Sequence, residues 1–283
     1  MTGIPLTETE RRGLAEKARR IRELTIDAIG KLGVGHIGGS LSVVDILTLL
    51  YYRHMNVDPA DPRKRDRDIL VLSKGHAGPA LYSILADRGF FPADWLDTLN
   101  VGGTNLPSHA DRSRTPGVDM TTGSLGQGLS AAVGIALGNR LDGIGSTVYV
   151  ILGDGDTNEG QTWEAAMAAS HYRLSNLTAL TDYNKLQIDG RSDEIMQTEL
   201  LEARWEAFGW FVQRVDGHEF LEMDEALRRA ASERDRPSMI ILDTIKGKGA
   251  DFCEGRVDSH NMVYDRQTAR RAIEGLYREG EAR

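Results

Sequence analysis

Residues 153–184 contain the residue types that could bind a metal ion and a diphosphate. The acid in Gly153-Asp154-Gly155 directly follows the apolar run VYVIL, and Asn184 follows the run LTAL and the residues TDY. Ligands of open α/β sheets bind beyond the carboxyl ends of the strands. We therefore expect both side chains at that edge of one sheet.

Three oxygen ligands for one hard cation are predicted in this segment. They are the Asp154 carboxylate, the Asn184 side-chain oxygen and the Leu186 main-chain carbonyl. Mg²⁺ prefers about six oxygens in octahedral geometry and takes several of them from phosphate. Two phosphate oxygens and a water would complete the set, and Ca²⁺ or Mn²⁺ could replace Mg²⁺. Gly155 would allow close approach of the backbone to the phosphates and donate its N–H to them.

The composition indicates an ordinary soluble globular protein. Of its 283 residues, 40% are hydrophobic and 27% are charged. The net charge of −8 argues against a broad nucleic-acid surface. A single cysteine, Cys253, excludes an internal disulfide framework and is typical of a reducing cytoplasm. The first 20 residues lack the apolar core of a signal peptide, and no apolar run approaches the roughly 18 residues of a membrane span. We expect a cytoplasmic protein with no membrane or nucleic-acid partner.

The order of patterns along the chain predicts an α/β fold. Residues 7–30 are predicted as an amphipathic helix with a capping box at Thr7 and Glu10, and a second helix is predicted from Ser42 through residue 54. Four runs rich in Val, Ile and Leu are predicted as buried parallel strands: 69–72, 148–152, 177–180 and 239–242. Helical patterns separate these runs. The pattern predicts a parallel sheet with helices on both faces, in one domain covering residues 1–283.

The long polar segment at residues 100–122 is predicted to be a functional loop. Loops of this length without secondary structure are uncommon in compact domains unless they contribute to a site.

Five segments, taken in order and spacing, resemble the N-terminal diphosphate-binding domain of transketolase. They are GHIGGSLSVVDIL from Gly35, LSKGHAGPALY from Leu72, TTGSLGQGLS from Thr121, residues 152–190, and TIKGKG from Thr244 ahead of His260. These segments are dispersed over most of the chain. The resemblance implies the thiamine diphosphate-binding fold, with thiamine diphosphate as the cofactor and a metal ion holding its diphosphate.

The resemblance also implies a partner chain. Transketolases continue for several hundred residues with a pyrimidine-binding domain and a C-terminal domain, whereas this sequence stops at Arg283. The glutamate that activates the cofactor belongs to the pyrimidine-binding domain. We therefore expect the N-terminal subunit of a split transketolase, inactive alone and forming a heterotetramer with two copies of a C-terminal subunit.

Four of the seven histidines fall in segments that match the family. The resemblance implies that His76 and His260 contact the diphosphate and the reacting centre. It implies that His36 and His109 hydrogen-bond the hydroxyls or carbonyl of the sugar. Imidazoles are the natural proton donors and acceptors near neutral pH. The other histidines are predicted to be structural: His54, His171 and His218.

The remaining site residues are implied by the same motifs. Leu125 is expected against the cofactor rings and Gly123 near the aminopyrimidine. Two acids, Glu159 and Glu164, match residues that transketolases place at the subunit interface, and Glu159 is also assigned to the cofactor site. The alternative is that both acids only complement a helix dipole. Lys246 and Lys248 could attract the diphosphate or lie in a solvated loop.

Departures from the family motifs concentrate near the donor sugar. His-Pro-Gly becomes His36-Ile37-Gly38, and Gly-His-Pro-Glu becomes Ser108-His109-Ala110-Asp111. Other departures follow the metal-binding acid and surround the last histidine: Asp156-Thr157-Asn158 and Ser259-His260-Asn261. With these departures, the donor could be a sugar, a sugar phosphate or a sulfonated sugar.

The expected reaction is transfer of a two-carbon ketol unit from a ketose to an aldose. The alternatives are the alpha chain of an α-ketoacid dehydrogenase, a deoxyxylulose-phosphate synthase relative, or a non-catalytic binding subunit. The matched histidines favour ketol transfer, because sugar hydroxyls need such partners.

Overall fold

A five-stranded parallel sheet forms the centre of the computed structural model, which describes residues 4–197 and 200–281. In chain order the strands are β1 (Val34–Gly35), β2 (Ile69–Leu72), β3 (Val148–Gly153), β4 (Leu177–Tyr183), β5 (Phe211–Asp216), β6 (Ser238–Asp243) and β7 (Met262–Val263). The order across the sheet is β2-β3-β4-β6-β5, and β1 pairs with β7 in a separate antiparallel ribbon. The predicted parallel sheet is confirmed.

Ten helices surround the sheet in the described part of the chain. They are α1 (Glu8–Leu32), α2 (Ile37–Leu41), α3 (Val44–Leu49), α4 (Gly78–Asp87), α5 (Gln127–Leu141), α6 (Gly160–His171), α7 (Ser192–Ile195), α8 (Leu201–Ala207), α9 (Phe220–Ser232) and α10 (Arg266–Glu281). Helix α1 begins with the predicted capping box, in which the Glu10 N–H donates to Thr7 Oγ1 at 3.3 Å and the Thr7 N–H to Glu10 Oε2 at 2.8 Å. The second predicted helix forms as α3 and ends in a π-helical turn at Leu50–His54.

Alternate residues of the central strands enter two apolar layers. On β3, Tyr149 and Ile151 pack on the face covered by α1, α4 and α9, whereas Val148, Val150 and Leu152 pack on the face covered by α5 and α6. Both faces are therefore buried, which explains why the strands were recognisable as continuous apolar runs.

Strand β5 and helix α10 were not predicted. Strand β5 is half-exposed, with polar Gln213 and Arg214 in its centre, so it lacks the apolar run that β2 keeps at the other, buried edge of the sheet. Helix α10 is rich in charged residues and packs along α1 through one apolar stripe that includes Ala269 and Ala272.

The carboxyl ends of four neighbouring strands converge at one edge of the sheet. Leu72 of β2 is paired with Ile151 of β3, Gly153 with Asp182 of β4, and Tyr183 with Asp243 of β6. The loops that follow these strands therefore meet in space. Among the described residues, no helix combines the length and apolar character needed to cross a membrane.

Candidate active site

A cavity of about 250 Å³ opens at this carboxyl edge of the sheet. Each of the four neighbouring strands is followed by residues that line it, and the loop at residues 100–122 adds His109. That loop contains turns but no helix or strand, as predicted. The lining residues are His36, Gly39, Lys74, His76, His109, Gly123, Leu125, Gly153, Asp154, Gly155, Asp156, Asn184, Leu186, Gln187, Ile188, Lys246 and His260.

Four imidazoles form a cluster on one side of the cavity. The His36 ring lies 5.6 Å from the ring of His76, 5.4 Å from that of His109 and 5.5 Å from that of His260, measured between centroids. The rings of His76 and His260 are 4.9 Å apart. They come from four separate places: the residue before α2, the turn after β2, the long loop, and the turn before β7. The structure thus brings together all four histidines that the family motifs singled out.

The environment keeps these imidazoles neutral. Burial, followed by the repulsion that a protonated His109 would exert, lowers the pKa of His36 to about 4, and burial also lowers the pKa of His109. Burial and the nearby Lys246 ammonium lower the pKa of His260 to about 4. Burial also lowers the pKa of His76 well below its usual value, with Lys74 as the next cause. Near neutral pH each ring can therefore donate one hydrogen bond and accept another.

Acid should destabilise the folded chain through His36. Its pKa is about 4 in the folded state against an ordinary value of 6.5. Between these values the unfolded chain binds more protons, so the free energy of unfolding should fall as pH decreases from about 6.5 to about 4. Urea unfolding across this range measures the effect. His36→Gln should reduce the slope, and His171→Gln, on an exposed histidine outside the cluster, should leave it unchanged. Equal slopes in wild type and His36→Gln would contradict the prediction.

The predicted metal ligands lie together around a tight turn. Lys185 adopts the left-handed conformation, with φ of 65°, which is uncommon for a residue other than glycine. Its N–H donates to Asp154 Oδ2 at 2.7 Å, and the Leu186 N–H donates to Asn184 Oδ1 at 3.2 Å. The turn thereby holds Asn184 and Leu186 next to the Asp154 carboxylate.

The electrostatics of this turn fit a bound divalent cation. Burial, and then the neighbouring Asp182 carboxylate, raise the pKa of Asp154 to about 7, so its charge lacks full compensation. The Lys246 ammonium lies 3.4 Å from the Leu186 carbonyl, which shows that this oxygen is directed toward positive charge. Among described residues no three His, Cys, Asp or Glu side chains could hold a metal together. An oxygen set of one carboxylate, one amide and one carbonyl suits Mg²⁺ better than zinc.

A buried ion pair, which the sequence motifs do not predict, lies beneath the turn. Lys74 donates to Asp182, and these side chains are 1% and 0% exposed. Asp182 also accepts hydrogen bonds from Ser42, at 2.8 Å, from Thr244, and from Asn184 Nδ2 at 2.8 Å. The bond to Asn184 fixes its amide with Nδ2 toward Asp182, so that Oδ1, which accepts from the Leu186 N–H, keeps a second lone pair available for a cation. The spacing of Asp182 and Asn184 is an available signal, because residues i and i+2 of extended chain share a face and Asn184 directly follows β4.

Asp156 is a second buried acid that was not assigned to the site. Its carboxylate accepts hydrogen bonds from Ser73 Oγ at 2.6 Å, from the Gly126 N–H at 2.8 Å and from the Gly153 N–H at 2.8 Å. It therefore ties together the segments after β2, before α5 and at the end of β3.

The other predicted residues divide between the cavity and the surface. Gly123 and Leu125 line the cavity, and Gly155 carries no Cβ that would otherwise lie 3.2 Å from Leu125 Cδ1. Of the two lysines, Lys246 is buried in the cavity, whereas Lys248 is half-buried outside it, 3.7 Å from Glu254. The following residues do not line the cavity: exposed Glu159, Glu164 and His171, and His54 and His218, which contact Asp224 and Asp45.

Gly38 controls the position of the segment that carries His260. A Cβ at Gly38 would lie 2.2 Å from Ser259 Oγ and 2.8 Å from its carbonyl oxygen. We expect Gly38→Ala to displace this segment and lower the free energy of unfolding by about 1–3 kcal/mol, as overpacking does. Gly145→Ala is the matched control, since a Cβ there meets nothing within 4 Å. Equal urea midpoints for the two variants would refute this close packing.

Comparison with known proteins identifies the family. Residues 14–271 match the family described as transketolase, thiamine diphosphate binding domain. The 6-deoxy-6-sulfo-D-fructose transketolase subunit of Clostridium sp. strain MSTE9 is 55% identical over 94% of this chain and 97% of its own length. One subunit of the apulose-4-phosphate transketolase of Actinobacillus succinogenes is 40% identical over 93% of this chain and 95% of its own length.

A solved structure agrees with these relatives. The transketolase of Campylobacter jejuni superposes with a TM-score of 0.88 at 33% identity, over 94% of this chain. The chain spans 43% of that transketolase's length. The resemblance read from the motifs is confirmed, and the chain belongs to the transketolase family, whose thiamine diphosphate-binding domain it matches over nearly its whole length.

Proposed function

We propose that this chain is the diphosphate-binding subunit of a split transketolase. It would transfer a two-carbon ketol unit from a ketose to an aldose. The observation that carries the proposal is the cluster of four neutral imidazoles facing an oxygen-ligand turn across one cavity. When bound, thiamine diphosphate supplies a nucleophilic carbon and an electron sink for carbon–carbon cleavage.

The oxygen-ligand turn would hold the charged end of the cofactor. Asp154, Asn184 and the Leu186 carbonyl would bind Mg²⁺, and the Gly155 N–H would donate to the diphosphate. Lys246 supplies a nearby positive charge. Burial lowers the pKa of Lys246 to about 8, with Lys74 as the next cause, so it stays mostly protonated at neutral pH.

The histidine cluster would bind and deprotonate the sugar. Cleavage of the ketose bond between C2 and C3 requires a base to remove the proton of the C3 hydroxyl. Bond formation with the acceptor aldehyde returns a proton to the new hydroxyl. His36, His76, His109 and His260 surround the space in which this exchange would occur. Because their rings are neutral, one can accept the proton while its neighbours donate to the other hydroxyls.

A separate subunit would complete the site. The sulfofructose and apulose-phosphate transketolase relatives described above match along almost their full lengths, and both carry the word subunit in their names. We propose a partner that contributes the pyrimidine-binding domain, in a heterotetramer with two copies of each chain. Glu159 and Glu164 are exposed, which supports a role at a subunit interface.

The single cysteine, Cys253, is free and buried, which supports a cytoplasmic location.

The donor we propose is 6-deoxy-6-sulfo-D-fructose. The relative named for this sugar is 55% identical to the chain, against 40% for the relative named for apulose 4-phosphate. Removal of carbons 1 and 2 from this donor would leave a four-carbon aldose that keeps the sulfonate. Apulose 4-phosphate is the second candidate donor.

Reconstitution with the partner subunit tests both the proposed reaction and the proposed donor sugar. The complex, with thiamine diphosphate and Mg²⁺, would be assayed with each donor and glyceraldehyde 3-phosphate as acceptor. We expect kcat/KM to be at least about 10-fold higher for the sulfonated donor, because the two donors differ in carbon skeleton and in the shape of the anion, and a misfit in a shaped pocket costs about this factor. A higher value for apulose 4-phosphate would reject the donor. A complex that binds the cofactor but transfers no ketol unit from either sugar would count against the donor assignment, and one that binds no cofactor would reject the function.

A further inference from the structure

A basic groove of about 870 Å³ lies outside the active site. Its lining contains six cationic side chains and a single carboxylate, that of Asp119. The cations are Arg63, Lys64, Arg65, Arg67, Arg112 and Arg114. Such a concentration of positive charge is unexpected in a chain whose net charge is −8.

The groove lies at the opposite edge of the sheet from the active-site cavity. One wall is formed by residues 62–69, which lead into the first residue of β2, Ile69. The other wall is formed by residues 112–119. The groove lies at the amino end of β2, whereas His76 of the active-site cavity follows the carboxyl end of this strand. The two sites share no lining residue.

The second wall is held in place by a tight turn. In Thr115-Pro116-Gly117-Val118, the Val118 N–H donates to the Thr115 carbonyl at 3.2 Å and Gly117 has φ of 84°, as a type II turn requires. Asp119 accepts from the Leu70 N–H at 2.8 Å. This contact fixes the wall to β2, so the groove is formed before any ligand binds.

Much of the positive charge in the basic groove is poorly compensated. Arg67 is paired with buried Asp119 at 2.5 Å, which neutralises that cation. The pairs of Arg65 with Asp142, at 3.2 Å, and of Arg114 with Asp111, at 3.7 Å, are exposed. Exposed pairs of this kind contribute little and exchange easily.

Two arginines of the basic groove are available to a ligand. Within the described residues, neither the Arg63 nor the Arg112 side chain has an ion pair or hydrogen bond. They stand on opposite walls of the basic groove and are both exposed. A ligand between the walls could therefore contact both without breaking an existing pair.

We propose that the basic groove binds a small polyanion with two or more linked phosphate groups. Its volume lies in the range of small-molecule sites. Arginine on two walls suits bidentate binding of several phosphate oxygens. Carboxylates of Asp66, Asp111 and Asp142 flank the cations, so an extended nucleic acid would meet repulsion on leaving the groove.

Calorimetric titration of the full chain with inorganic tripolyphosphate tests this site, in metal-free buffer at low salt. We expect tripolyphosphate to bind at least about 10-fold more tightly than orthophosphate, because several guanidinium contacts add. The variant Arg63→Ala/Arg112→Ala should lose at least about 10-fold in affinity for tripolyphosphate. The matched control Arg234→Ala/Arg270→Ala removes the same charge from exposed positions elsewhere and should change affinity by less than about 2-fold.

The remaining outcomes distinguish a nucleotide from a simple phosphate chain as the ligand, and the basic groove from other binding sites. ATP binding more tightly than tripolyphosphate would identify a nucleotide as the ligand, and equal affinities would show that the phosphate chain alone is recognised. Unchanged tripolyphosphate affinity in the groove variant would overturn the proposal, since the anion would then bind in the active-site cavity or elsewhere. Binding of a short RNA but not of tripolyphosphate would also overturn it.

Discussion

Replacing Asp154 by alanine is expected to abolish metal-dependent binding of thiamine diphosphate by the assembled enzyme. Asp154 is 2% exposed and is the only charged group among the three proposed metal ligands. Without it, an amide and a carbonyl oxygen would have to hold a divalent cation. We expect the cofactor affinity to fall by at least about 100-fold. Replacing a residue that only supports a metal ligand costs up to about this factor, and Asp154 would itself be a ligand. Titration of the complex with thiamine diphosphate at fixed Mg²⁺ measures it.

Two controls separate this effect from misfolding. Asp193→Ala removes an exposed carboxylate from the segment that follows the turn of the proposed metal ligands and should leave the cofactor affinity unchanged. The metal-free Asp154→Ala chain should still unfold cooperatively in urea, because removal of a charge that burial and Asp182 disfavour offsets part of the loss of the hydrogen bonds from the Lys185 N–H and Ser192 Oγ. Retention of Mg²⁺-dependent cofactor affinity in Asp154→Ala would show that the metal position is elsewhere.

Replacing Asp182 by asparagine should cause the largest loss of stability. Burial alone would raise the pKa of Asp182, but Lys74 and the hydrogen bonds from Thr244 and Ser42 outweigh it and lower that pKa. The substitution would leave the Lys74 ammonium buried without a counter-charge. Removing one partner of a buried pair costs about 3–5 kcal/mol, and urea unfolding at pH 7 would measure that decrease.

The double variant Lys74→Met/Asp182→Asn is the decisive comparison. It removes both charges, so it should recover a large part of the stability that Asp182→Asn loses. Asp243→Asn, which breaks the exposed pair with Arg214, should cost about 1 kcal/mol or less. If Asp182→Asn lowered the free energy of unfolding by only about 1 kcal/mol or less, or if the double variant recovered none of the loss, the buried pair would not stabilise the fold.

Local patterns in the sequence were sufficient to predict most of the sheet. The runs at β2, β3, β4 and β6 are apolar apart from Thr178, because both faces of these strands are buried. The cap of α1 was predictable because Thr7 and Glu10 interact across one helical turn. Strand β5 gave no such signal, since an edge strand with one exposed face keeps polar residues.

The histidine cluster could be predicted because each member lies in a motif of the family. The supporting contacts could not be predicted in this way. Lys74 and Asp182 are 108 positions apart, and their pairing depends on β2, β3 and β4 being neighbours in the sheet. The same holds for the basic groove, whose walls are separated in the sequence and meet at the amino end of β2.

The order of amino acids was enough to identify the family and the strands whose faces are buried, and to name the residues that the structure brings together as the proposed metal ligands and the histidine cluster. These follow from local periodicity and from motif spacing, which are written along the chain. Three-dimensional packing was needed to show which charges are buried, which are paired, and that Lys246 lies in the cavity while Lys248 does not. Burial and pairing depend on strand order and loop path, because they join residues that are distant in the chain.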